Sequence, residues 1–190
     1  IFEKILNKKF IFRSLMVLGL VSLFVIPTVY YKKVYSCSGI SEYDAKIDRK
    51  FILDLFQKNM YWLVAENVTD FSAEYVLDTK SRSKRPEDYG NLSIYVHRTS
   101  DCKPTGFVAF YKKSFFKGYV LFLVVDEVYR GKGYAKKLLT FSLDKLKEMG
   151  CSYAELVTRT SNEKAQKLYK SVGMHEVWRD EGFVKFEKQI

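Results

Sequence analysis

The sequence predicts an α/β domain on a mixed sheet, with one membrane-spanning helix ahead of it. Three observations lead there. Between Gly118 and Gly173 the chain runs through an apolar strand, a basic glycine turn, an amphipathic helix, a second strand and a second helix. A hairpin pattern precedes this unit, with strands at 92–98 and 107–112 around a turn at 100–106. Nearer the start, an uncharged apolar run of 18 residues opens at Ser14 and closes at Tyr31.

At helical rise that run spans about 27 Å, close to the hydrocarbon thickness of a bilayer. Lys4, Lys8, Lys9 and Arg13 precede it, and Tyr30-Tyr31-Lys32-Lys33 forms an interfacial end. The reading is an uncleaved anchor in contact with the lipid bilayer, giving residues 1–33 as basic segment and anchor and 34–190 as the folded domain. A cleaved signal peptide is the rival, because the same basic residues make an n-region and a cut could fall ahead of Cys37. Lysine and arginine counts on the two sides are too similar to fix the orientation.

The domain elements follow in order. Residues 48–64 place Phe51, Ile52, Leu55, Phe56, Met60 and Leu63 at helical spacing, with a break expected near Asn59. A short helix is expected within 68–77, and the polar, basic stretch 78–90 with Pro86 reads as a loop. Residues 119–125 are a continuous apolar run, as in a central strand buried on both faces. Residues 133–149 set Ala135, Leu138, Leu139, Leu143, Leu146 and Met149 on one stripe, and Gly150 ends the helix. The strand at 153–158 then requires a parallel pair with a right-handed crossover. Thr160 and Glu163 suggest a capping box for the next helix, whose face carries Ala165, Leu168, Tyr169 and Val172. Trp178 and residues 183–188 suggest a closing hairpin.

Composition narrows the functional classes. Thirty-two basic against 22 acidic residues leave a net charge of +10. The first basic cluster flanks the apolar run; the groups at 80–85 and 112–117 read as solvated loops, so nucleic acid is an unlikely partner. Cys37, Cys102 and Cys151 are widely spaced and odd in number, which supports a reducing compartment. With only His97 and His175 besides, no metal-ligand spacing can be built, and no metal is expected.

The informative segment is Arg130-Gly131-Lys132-Gly133-Tyr134-Ala135. A strand feeding such a turn into a helix makes a nest of backbone N–H groups at a positive helix end, suited to a phosphate-type anion. Lys136 stands where a dinucleotide fingerprint needs its third glycine, and no Gly-Lys-Ser/Thr of a P-loop follows. Arg130-x-x-Gly133-x-Ala135, led in by residues 125–131, together with Asn162-x-x-Ala165-x-x-Leu168-Tyr169-x-x-x-Gly173, resembles the two signatures of the GNAT superfamily of acyl-CoA-dependent N-acyltransferases. The resemblance covers residues 91–188.

That resemblance implies a GNAT-like N-acetyltransferase fold with acetyl-CoA as co-substrate. Its pyrophosphate would sit on the N–H groups of Gly131, Lys132, Gly133, Tyr134 and Ala135, with Arg130 beside them and Asn162 as a further contact. Its pantetheine would run along the edge of Val124 and Val125. It also implies direct attack of a neutral primary amine, of a small molecule, peptide or protein, on the thioester. A lysine-type amine with a pKa of about 10.4 must first lose its proton. The Val125 N–H would serve the oxyanion, and Tyr169 the departing thiolate. Family members often carry a strand glutamate as base; residues 119–125 hold no acid. Glu155 is a possibility, Asp126 and Glu127 read as loop surface, and no base is assigned. The other class left open is a catalytically silent acyl-CoA binder at the membrane. Acetyl-CoA supply favours the domain on the cytoplasmic side.

Overall fold

The computed structural model describes residues 37–80 and 91–190. The apolar run from Ser14 to Tyr31 lies outside them. Among the described residues no helix is long and apolar enough to cross a membrane.

The strands are β1 (Gly39–Glu42), β2 (Ser93–Arg98), β3 (Pro104–Lys112), β4 (Lys117–Val125), β5 (Tyr153–Arg159), β6 (His175–Arg179) and β7 (Phe183–Gln189). The helices are α1 (Ala45–Leu63), α2 (Ala73–Thr79), α3 (Tyr134–Glu148) and α4 (Glu163–Ser171). The sheet order is β1-β2-β3-β4-β5-β7-β6. Every pairing is antiparallel except β4 with β5, the parallel pair that the α3 crossover requires. β1 has no counterpart among the sequence expectations. Its four residues are too few for a period-2 signal, and only pairing with β2 defines it.

α1 and α2 cover one face. Ile52, Leu55, Phe56, Val76 and Leu77 pack there on Ile94, Val96, Phe107, Ala109, Phe122 and Val124. α3 and α4 cover the other, where Leu138, Leu139, Leu143, Leu146 and Tyr169 meet Val108, Phe110, Val120, Ala154, Leu156, Val184 and Phe186. Alternation along each strand sends successive side chains into these two cores, which explains the unbroken apolar run of β4. β4 also holds a bulge. Ala109 pairs with Phe122 but Phe110 with Val120, so Leu121 is the extra residue and packs on the α1 face beside Phe122.

α1 is continuous but kinked at Asn59, whose φ is −122°. Asn59 spends its side-chain amide on the Leu55 carbonyl at 2.8 Å, the local backbone competition that disfavours asparagine inside helices. Near its start, buried Asp48 forms an ion pair with Arg98 of β2. α2 runs over 73–79 rather than 68–77, because Ser72 caps it by accepting from the Tyr75 N–H at 3.1 Å. α4 begins at Asn162 as N-cap, whose Oδ1 accepts from the Ala165 N–H at 3.2 Å. The expected Thr160–Glu163 capping box is therefore replaced. Thr160 instead donates to the Glu181 carbonyl and is tied to the β6–β7 turn.

Gly106 is a residue that this packing demands. A Cβ there would press into the backbone carbonyl oxygen of Val124 and against Val125, and backbone cannot yield as a flexible side chain can. Gly106→Ala is expected to cost on the order of 1–3 kcal/mol by overpacking, read as a lower urea midpoint at unchanged slope.

Candidate active site

β4 and β5 pair only through Lys117–Tyr153, Gly118–Ala154 and Tyr119–Glu155. Beyond Tyr119 they part, β4 continuing to Val125 and β5 to Arg159, which stays paired with β7 along its whole length. The edge of β4 facing β5 is therefore open from the bulge onward. The Asp126 N–H donates to the Thr105 carbonyl at 2.9 Å. In an antiparallel ladder alternate residues turn their polar groups to opposite edges. Asp126 and Val124 thus face β3, while Leu123 and Val125 turn N–H and C=O toward the gap. Of the expected pair Val124 and Val125, only Val125 presents its backbone to the opening, and Leu123 takes the place given to Val124.

The glycine turn lies at the far end of β4. Gly131 and Gly133 have φ of +77° and +79°, a conformation that a side chain disfavours. Gly133 is the N-cap of α3, and no side chain caps that helix. The N–H groups of Tyr134, Ala135 and Lys136 are thus unspent inside the helix, beside exposed Gly131, Lys132 and Gly133. Lys132 lies over the Tyr129 ring and Lys137 over the Tyr134 ring.

Arg130 is drawn inward. Its Nε donates to the Val125 carbonyl at 3.1 Å and its Nη2 to Asn59 Oδ1 at 2.9 Å. One guanidinium ties the end of β4, the glycine turn and the kink of α1. It also satisfies the Val125 carbonyl and leaves the Val125 N–H as the free polar group of that residue at the gap. Beneath the start of α3, His97 Nδ1 sits 2.7 Å from Thr105 Oγ1, and its ring packs on Tyr134 at 4.4 Å between centroids. Burial, reinforced by Lys137, pushes its pKa down and keeps the imidazole neutral.

Tyr169 is buried on the α3/α4 face, its ring edge against Phe186 and its hydroxyl hydrogen-bonded to Thr158 of β5. Burial is the main reason that its pKa is pushed up to about 12, and the Thr158 contact only partly offsets it. Glu155 faces the opposite side at the apex of the gap and is 1% exposed. Burial alone would raise its pKa, but Lys113 at 2.5 Å and Lys185 at 2.6 Å outweigh it and hold the carboxyl below its ordinary value. Such a carboxylate is a weak base.

Cys102, in the β2–β3 turn, is disulfide-bonded, and Cys151 is a free, buried thiol. The cysteine pattern therefore lends no support to a reducing compartment. Among the described residues no cluster of three His, Cys, Asp or Glu could hold a metal ion.

The model of the acetyltransferase (GNAT) family matches residues 52–174, well over half of the chain. The chain belongs to the GNAT acetyltransferase family. Among curated proteins, the [ribosomal protein bS18]-alanine N-acetyltransferase of Haemophilus ducreyi is 47% identical over 55 residues, 29% of this chain and 38% of that protein. N-alpha-acetyltransferase 30 of Saccharomyces cerevisiae is 39% identical over 57 residues, 30% and 32% of the two chains. The chain thus spans about a third of the length of the curated relatives it matches. Among solved structures, yncA of Salmonella typhimurium, determined with its cofactor acetyl-CoA, superposes with a TM-score of 0.61 at 17% identity, covering 79% of this chain and 92% of that one. That likeness carries the fold.

Asn59, His97 and Leu123 enter the site although the sequence gives them no role in it, Asn59 marking only a helix break and His97 being only one of two histidines. Asn59 accepts from the Arg130 guanidinium and His97 packs on Tyr134, and such distant partners leave no local spacing to read. For Leu123, only the ladder fixes which backbone edge faces the gap.

Proposed function

We propose that this GNAT-family protein is an N-acetyltransferase that transfers the acetyl group of acetyl-CoA to a primary amine by direct attack. The observation that carries the reading is the open β4 edge at Val125, lying between an uncapped α3 N-terminus and a buried tyrosine that keeps its proton. The amine is proposed to be the α-amine of a peptide or protein, since the two relatives named above are called an alanine N-acetyltransferase and an N-alpha-acetyltransferase.

The unspent N–H groups at Gly131–Ala135, with Lys132 close by, suit the pyrophosphate. Positive φ at both glycines and open space above them leave the nest accessible. Leu123 and Val125 offer β-type bonds to the pantetheine amides. The Asn162 oxygen is engaged as a cap, so a contact from Asn162 to acetyl-CoA would come from its amide nitrogen.

The neutral amine attacks the thioester carbonyl, the C–N bond forms, and the Val125 N–H stabilises the oxyanion. As the C–S bond breaks, Tyr169 donates its proton to the leaving sulfur. A pKa of about 12 keeps that donor charged with its proton at any working pH. With Glu155 bound by lysines, the proton of the amine leaves to water, and water returns one to the Tyr169 phenolate, so that amine and thioester become amide and thiol. Residues 14–31 are proposed as an uncleaved anchor. Placement of the domain on the cytoplasmic side rests on the supply of acetyl-CoA.

The full chain should acetylate peptides with a free α-amine faster than α-blocked lysine peptides or polyamines, followed by release of free CoA thiol. If nothing in such a panel is turned over while acetyl-CoA binds, the protein is a silent binder. Tyr169→Phe should lower turnover about a hundredfold or more with acetyl-CoA affinity intact; a loss of only a few-fold would make Tyr169 a packing residue. Wild-type turnover should rise with pH as the amine deprotonates. The Tyr169 donor is lost only as pH climbs toward 12, so a decline from this group at pH 8–9 would contradict its buried state. Carbonate-washed membranes should retain the protein, and intact mass should include residues 14–31; a soluble product starting at Cys37 would identify a signal peptide instead.

A further inference from the structure

Arg159 ends β5, four residues beyond its last pairing with β4, and it is 8% exposed. Ala154 and Leu156 face α3 and α4, so alternation puts Glu155, Val157 and Arg159 on the α1 face. Its guanidinium reaches across to another element. Nε donates to the Tyr61 carbonyl at 2.6 Å, Nη2 to the Val64 carbonyl at 3.2 Å, and Nη1 lies 3.5 Å from Glu66. Its Cζ lies over the Tyr61 ring, 4.0 Å from the centroid, and 5.4 Å from that of Phe183 of β7.

These carbonyls belong to the C-terminal end of α1, which has no basic residue of its own in the last turn. Unsatisfied carbonyls and the negative helix end call for a cation there, and β5 supplies it. Burying a guanidinium is costly unless its N–H groups are bonded, and here they are used on one short segment. The same segment is held at its other end by Arg130, through Asn59. Residues 59–66 are thus pinned between an arginine of the glycine turn and an arginine of β5. Between the pins, Met60, Tyr61 and Trp62 stay exposed, Tyr61 and Trp62 packed edge to face at 4.9 Å.

We infer that Arg159 is a positioning residue for the amine acceptor, holding the end of α1 as a wall of its entry on the α1 face. The inference rests on the acetyltransferase reading. Tyr169 occupies the α3/α4 face, and the nest is built from the start of α3. The α1 face of the gap is what remains for a second substrate. An arginine fork that fixes two carbonyls and lies over a ring sets the position of this wall in a way that lysine, a single point charge, does not reproduce.

The test uses the full chain with acetyl-CoA and a synthetic peptide bearing a free α-amine. Arg159→Ala should raise KM for the peptide on the order of tenfold or more, leave KM for acetyl-CoA within about twofold, and accelerate amide exchange across residues 60–66. Arg159→Lys should fall between wild type and Arg159→Ala, and it decides the matter if the alanine variant fails to fold. Unchanged peptide KM with unchanged exchange would overturn the role. So would a parallel loss in both KM values and melting temperature, the mark of a merely structural arginine. If the wild type acetylates no amine, the acetyltransferase reading fails on its own account. In that case unchanged exchange in the variants, or acetyl-CoA binding that falls along with it, also overturns the positioning role.

Discussion

The architecture of the site depends on one constraint: two parallel strands that pair for three residues and then separate. β4 is held to β3 along its other edge, and β5 to β7, so each strand has a partner on the far side of the gap. Unpaired backbone groups inside a protein are expensive. A strand edge left open beside a helix N-terminus that no side chain caps is therefore a place where a ligand completes the hydrogen bonding. The bulge at Leu121 lies just past the last paired residue, and bulges increase local twist. It also brings Leu123 and Val125, rather than their neighbours, to face the opening.

Electrostatics divides the gap into two ends. At the apex, Glu155 is buried with Lys113 and Lys185, while Lys117 bonds Glu187 at 3.0 Å. Each of these lysines is already held on a carboxylate, and the cluster lies at the end where the strands are still paired. At the mouth, the positive end of α3 and Lys132 are uncompensated by acidic side chains within the turn. Lysines already paired with carboxylates attract an anion less than the unpaired positive end of α3 does. Tyr169 sits between them on the α3/α4 face, its hydroxyl kept protonated by the core packed around it.

Three polar side chains from the strand ends and the turn carry this geometry into the helices. Arg130 and Arg159 hold successive parts of α1, and His97 supports the first residue of α3 from below. Each works by bonding or packing against a distant element, so the helices around the gap are set by groups far from them in sequence. Gly106, which lets the backbone of β3 lie against Val124 and Val125, belongs to the same framework.

Much of this was legible in the amino-acid order. The helical stripes of α1 and α3, the glycine turn, the parallel crossover, the buried central strand and Tyr169 on an apolar face are local patterns, governed by periodicities of 3.6 and 2 and by the conformational freedom of glycine. The kink at Asn59 was legible for the same reason, since asparagine competes with its own helix. Other features were decided only by tertiary structure. Strand pairing determined that Glu155 faces lysines and that Val125 turns its N–H outward, and the Thr160 bond to the Glu181 carbonyl took that hydroxyl away from the start of α4. Folding also buried Arg159 against the end of α1 and placed Cys102 in a disulfide. The division has a physical cause: a residue's periodicity, capping and backbone preference act on its neighbours in the chain, whereas long-range ion pairs, side-chain bonds between elements and strand edges join residues that only the folded chain brings together.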